Sequence, residues 1–145
     1  TWLFVWNPEK WPWPEIGEDS KRLKQGGIIQ ENWNCVSHKK VKTGDRAFVA
    51  KVGALPRGIF ASGHVASEPF PAKSRKGKDI HNVLIDFDVI LDPAQTGILT
   101  LELLNMSDLS KQLWTPQSSG ISIKLELIEE LEALWQDFLA SAGNH

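Results

Sequence analysis

The sequence predicts an α+β domain, a curved sheet or small open barrel flanked by helices. Three observations carry this. Four or five short segments are rich in strand-forming residues, several of them with apolar–polar alternation. Three of these follow one another with only loops between them, and helical patterns lie near both ends. With 145 residues, 41% of them apolar, the chain fits a single domain over 1–145 with one core.

The elements follow in order. Trp2 to Trp6 reads as a strand, ended by Asn7-Pro8. Glu9 to Pro14 holds two prolines and is expected to be irregular. Glu15 to Gln25 reads as a short polar helix stopped by Gly26-Gly27. Ile28 to Ser37 has a mixed pattern and carries Trp33. Val41 to Asp45 is a turn into a strand over Arg46 to Val52. After a loop, Ile59 to Ala66 is the next strand, with Gly63 at a bulge or close approach. Ser67 to Lys78 reads as a basic loop, and Asn82 to Leu91 as a long alternating strand. Ile98 to Asn105 fits strand or helix. Leu113 to Gly120 is a loop of small polar groups before a short strand at Ile121 to Ile123. Lys124 to Ala140 is the clearest helix, with Leu127, Ile128, Leu131, Leu134, Trp135 and Phe138 on one stripe.

Composition narrows the function. No apolar run approaches the roughly 18–20 residues of a membrane span, and the opening lacks the pattern of a secretory signal. The lone Cys35 excludes an internal disulfide, so a reducing cytoplasm is the expected compartment. The net charge of −2 hides an asymmetry. Residues 1–80 carry 14 Lys/Arg against 8 Asp/Glu, and residues 81–145 carry 2 against 10, so a polyanion would meet the first half. Seven tryptophans and no tyrosine are unusual, and Trp11 and Trp13 fall in loop-like sequence that packing explains poorly.

Catalytic patterns are weak. Cys35 and His38 lie three apart with no orienting third group. Cys35, His38, His64, His81 and His145 match no zinc spacing, and no phosphate-binding glycine motif is present. The expectation is a binding module with no catalytic residue, metal or cofactor.

Five stretches in order carry a family resemblance: WLFVWNPEKWPW at 2–13, ENWNCVSHKKVKTGDRAFVAKVG at 31–53, GIFASGHVASEPF at 58–70, VLIDFDVILDP at 83–93 and LWTPQSSGISI at 113–123. Together they resemble an EVE domain, of the PUA-like superfamily related to the YTH readers of methylated adenine. The NPEKWPW opening is most similar to EVE domains preceding HNH nucleases in modification-dependent restriction enzymes. The resemblance implies a PUA-like curved barrel of about five to six strands flanked by helices. It implies a partner, double-stranded DNA with 5-methylcytosine or 5-hydroxymethylcytosine, whose modified base is flipped into an aromatic pocket. It also implies a fused C-terminal nuclease, no membrane, and any dimer contact left to the full-length enzyme. The alternative within the same superfamily is an RNA-binding module that recognises a modified base.

The same resemblance assigns residues. Trp33 matches a cage tryptophan, Asn34 follows it, and Asn7 matches a polar pocket residue. Phe87 aligns with a second cage position, for which Trp11, Trp13 and Trp114 are rivals. Gln117, Ser118 and Ser119 match the pocket floor, with Gly120 permitting close backbone approach. Lys39, Lys40, Lys42, Arg57, Lys73, Arg75, Lys76 and Lys78 are the candidates for holding the nucleic-acid backbone.

Overall fold

The structure, a computed structural model, describes residues 1–141; His145, one of the scattered histidines, lies outside them. The chain runs β1 (Trp2–Trp6), α1 (Ile16–Lys24), β2 (Gln30–Asn34), β3 (Arg46–Lys51), β4 (Gly58–Val65), β5 (Phe70–Lys73), β6 (Asp79–Ile90), β7 (Leu99–Thr100), α2 (Leu101–Leu104), β8 (Ile121–Ser122) and α3 (Ile128–Ser141). Short 3₁₀ turns cover Asp108–Lys111 and Leu125–Leu127. The strands form one curled sheet in the order β2-β6-β4-β3-β1-β8, with β5 beside β6 and β7 beside β4. This is an α+β fold built on an open half-barrel, as expected, and no described helix is long and apolar enough to cross a membrane.

The centre of the sheet is antiparallel, but β1 lies parallel to β3, with Leu3 opposite Phe48 and Val5 opposite Ala50. Two strands went unread in the sequence. β2 (QENWN) is a polar edge strand, with four of its five residues off the core. β5 lies within the stretch read as a basic loop and pairs back onto β6. Gly63 behaves as read. The β4–β6 register shifts at Ser62/Gly63, and a Cβ at Gly63 would lie 2.3 Å from the Asp86 carbonyl. The ambiguous segment resolves into both options, β7 and then α2.

Helix α3 closes one side of the sheet. Its stripe buries Leu131, Trp135 and Leu139, and the Trp135 ring meets Phe48 edge-on at 6.1 Å. A polar chain fixes this packing. The Trp135 indole donates to Ser62 Oγ at 3.0 Å, and Ser62, 0% exposed, donates to Asp88 at 2.5 Å. Arg46 bridges Asp88 at 2.7 Å and Glu132 of α3 at 2.9 Å. These charge-assisted bonds hold the Arg46 guanidinium above its ordinary pKa against the opposing effect of burial. Asp88 on β6 is thus a tie between sheet and helix.

Candidate functional site

The half-barrel leaves a seam, because β2 ends the strand order on one side and β1 with β8 end it on the other. β8 covers only Trp2 and Leu3 of β1, so the N–H and C=O of Val5 face the seam with no partner from β8. Two side chains satisfy it: Val5 N–H donates to Ser119 Oγ at 3.1 Å, and the Trp33 indole donates to the Val5 carbonyl at 2.8 Å. The loop before β8 straps the seam further. Gly120 N–H donates to Leu3, and Val36 N–H donates to the Ser119 carbonyl. Gly120 adopts φ +84°, and a Cβ there would lie 2.8 Å from Cys35 Cα, so its close approach is to the protein's own chain.

A cleft of about 1160 Å³ opens along this seam. Five separate segments line it. After β1 come Asn7, Lys10 and Trp11; from β2 and its following turn come Trp33, Asn34, Cys35, Val36 and His38. The β3–β4 loop gives Arg57, and the β5–β6 hairpin gives Ser74, Lys78, Asp79 and His81. Thr115, Pro116, Gln117, Ser118 and Ser119 complete the wall. Asn7 is placed by a local turn: its Oδ1 accepts from Glu9 N–H, and its carbonyl accepts from the amides of Lys10 and Trp11. Gly53, at φ +81°, lets the next loop pass against it, since a Cβ there would lie 2.7 Å from Asn7 Oδ1.

Of the base-binding candidates, Asn7, Trp11, Trp33, Asn34, Gln117, Ser118 and Ser119 converge on the cleft. Two do not. Phe87, 4% exposed, packs behind Trp33 and Trp13 with centroids 5.8 and 5.9 Å away. It falls on the core face of the alternating strand β6. Trp114, 2% exposed, turns inward and donates to the Leu109 carbonyl at 2.8 Å. Trp13 is held by Asp19 at 2.9 Å and also stays off the cleft wall.

The aromatic arrangement also differs from a two-ring sandwich. Trp33 is only 1% exposed, because Trp11 rests on it at 4.5 Å with the planes 54° apart. Trp13 and Phe87 approach it at 57° and 68°. Trp11 is the half-buried ring offered to the cleft, and Trp33 is its support. The parallel pair that does line the cleft is one the sequence reading missed: His38 and His81, 3.7 Å apart and 8° from parallel. They are 43 residues apart, and no spacing rule links them. They meet because β2 pairs with β6, placing Asn34 opposite Asn82 and Cys35 N–H on the His81 carbonyl.

Of the backbone-binding candidates, Arg57 and Lys78 line the cleft, joined by Lys10, which sequence reasoning did not single out. Lys39, Lys40, Lys42 and Lys76 are exposed off its wall. Lys73 pairs with Asp79, and Arg75 donates to the Lys10 carbonyl. Lys51 is buried, its ammonium donating to the carbonyls of Ala54 and Pro56 at 2.8 Å, and burial pushes its pKa down. It pins the loop that carries Arg57. Burial pushes the Cys35 thiol up, the opposite of an activated nucleophile. Among the described residues no three His, Cys, Asp or Glu side chains group as metal ligands.

The fold and site together define a curled half-barrel with a polar, partly aromatic cleft on its open seam. No family model matches the chain, and no curated protein does either. Solved structures share the fold. A structural-genomics protein of Pseudomonas syringae superposes with a TM-score of 0.62 at 18% identity, covering 92% of this chain and 97% of its own. A hypothetical protein from Leishmania major gives 0.65 at 13%, covering 94% of each chain. A protein from Pseudomonas putida gives 0.58 at 15%, covering 92% and 97%. At these identities the likeness is one of fold alone.

Proposed function

We propose that this chain is a non-catalytic reader of the EVE type, which binds nucleic acid and holds one modified base in the seam cleft. The base proposed is 5-methylcytosine or 5-hydroxymethylcytosine in double-stranded DNA, read on behalf of a nuclease as part of a modification-dependent restriction enzyme. The observation that carries the reading is convergence. Asn7, Trp11, Asn34, Gln117 and Ser118, chosen by resemblance from three distant stretches, line one cleft with Arg57 and Lys78.

The energetics suit a base held by one ring and several polar edges. Flipping a base costs a few kcal/mol, and stacking on one aromatic ring returns about 1–3 kcal/mol. Trp11 supplies that ring, with Trp33 behind it fixing its tilt. The remainder falls to hydrogen bonds from Asn7, Asn34, Gln117 and Ser118 to the base edge. Ser119 accepts from Val5 N–H, which leaves its own hydroxyl proton to donate. Arg57, Lys78 and Lys10 offer cations to the strand backbone.

The test is binding to matched duplexes by the wild type and by Trp11→Ala. A modified-duplex preference lost in the variant supports the reading. Equal, weak binding to every duplex, untouched by the substitution, overturns it; modified RNA would then be the next ligand to try.

A further inference from the structure

The cleft contains polar atoms that the fold itself leaves unspent. The indole N–H of Trp33 is taken up by the Val5 carbonyl, and Ser119 Oγ accepts from Val5 N–H while keeping its own proton. By contrast, neither ring of the His38–His81 stack makes a hydrogen bond within the described residues. Both rings line the cleft and are half-buried, and stacking 3.7 Å apart fixes their planes while leaving their nitrogens at the ring edges. A fixed pair of ring edges with free nitrogens is a hydrogen-bonding site awaiting a ligand.

The surrounding charge decides which ligand. The loop after β1 contributes Lys10, the β3–β4 loop Arg57, and the β5–β6 hairpin Lys78 and Asp79. The turn bearing His38 adds Lys39 and Lys40, exposed beside it, and the loop at 115–119 adds no charge. Asp79 is the one carboxylate in the lining and is already paired with Lys73. The field at the stack is therefore positive. An anion seated against the ring edges gives this field a negative partner and the imidazole N–H groups an acceptor.

We propose that the stacked His38–His81 pair is the phosphate subsite of the cleft, taking up a proton as it binds a phosphodiester of the nucleic-acid strand. This rests on the nucleic-acid reading above and assigns the contact that reading left to lysine and arginine alone. One proton serves the pair, because two facing imidazolium rings repel. Imidazole is the side chain suited to such a change between pH 5 and 8. Cys35, on the same turn, does not share in it, since burial raises its thiol away from that range. The consequence is that affinity rises as pH falls, by at most about tenfold per pH unit for one proton.

The experiment is calorimetric titration of a short duplex carrying one 5-methylcytosine, in buffers of differing ionisation enthalpy near pH 6.5. The expected result is uptake of up to one proton by the wild type, lost in His38→Gln and His81→Asn variants whose circular dichroism matches wild type. Arg57→Gln should weaken binding and keep the uptake. A second arm follows the two imidazoles by NMR while inorganic phosphate is added, which requires neither the variants nor DNA. Duplex binding with no proton uptake and unmoved imidazole signals overturns the subsite and leaves the reader standing. Signals that move with phosphate while the duplex does not bind support the subsite and overturn the reader. Silence in both arms overturns both.

Discussion

Replacing Trp33 with Phe tests whether this ring is a beam of the seam or a free wall of the cleft. In the structure its indole N–H is the partner of the Val5 carbonyl, 2.8 Å away, and its ring is 1% exposed among Trp11, Trp13 and Phe87. Phe keeps most of the apolar contact but leaves that carbonyl orphaned, which costs about 1–3 kcal/mol. The smaller ring adds about 1 kcal/mol of lost packing. The total is roughly 2–4 kcal/mol, or about 5–15 °C in Tm for a domain near this size. Thermal unfolding followed by circular dichroism reads it directly. Ser119→Ala, which removes the partner of Val5 N–H, should cost about 1 kcal/mol. The two losses should couple in a double-mutant cycle, since both act on one residue's backbone. A Trp33→Phe protein melting within about 2 °C of wild type would refute the idea that Trp33 holds the seam. The same reasoning makes Trp33→Ala a poor probe of binding, since a large-to-small change here costs about 3–5 kcal/mol of folding.

Further outcomes follow from the same geometry. Ser62→Ala removes the link between Trp135 and Asp88 and should destabilise the domain by about 1–3 kcal/mol in urea unfolding. Gly120→Ala and Gly77→Ala both put Ala at a positive φ, +84° and +77°, but only the first also places its Cβ 2.8 Å from Cys35, so both should lower Tm and Gly120→Ala should lower it more. Glu31 has its carboxyl pKa raised, first by desolvation and then by Asp19 and Glu15. A raised carboxyl means the folded state holds its proton more tightly than the unfolded chain, so ionisation at neutral pH opposes folding. Glu31→Gln should therefore raise Tm at pH 7, with the gain fading as pH falls through the raised value to the ordinary carboxylate range.

The long, strongly patterned elements were legible in the sequence: β1, β3, β4, α1 and the stripe of α3 match their reading closely. β2 was not, because an edge strand with only Trp33 in the core has no alternation to detect. β5 was hidden because its four residues, FPAK, are short, carry a proline and an exposed lysine, and bury no side chain fully. The site divides in the same way. Residues near strand ends and in the 115–119 loop were found through the resemblance, and they converge. Phe87 and Trp114 were misplaced because sequence does not tell the core face of a strand or loop from the cleft face; their neighbours in space decide it. His38 and His81 were invisible for a third reason. Their meeting depends on the β2–β6 register, and that depends on the strand that was missed.

The central claim is that Trp11 and the polar groups around it hold a modified base. The most direct measurement is the affinity of wild type and Trp11→Ala for duplexes that differ only in one cytosine: unmodified, 5-methyl or 5-hydroxymethyl. Trp11 is half-buried, so its removal should cost less folding stability than that of Trp33, and circular dichroism checks that the variant is folded. The account predicts tighter binding to a modified duplex by the wild type. It predicts a loss of about 5- to 150-fold in Trp11→Ala, the value of one base stack. Identical affinities for all three duplexes, unchanged by the substitution, would contradict it.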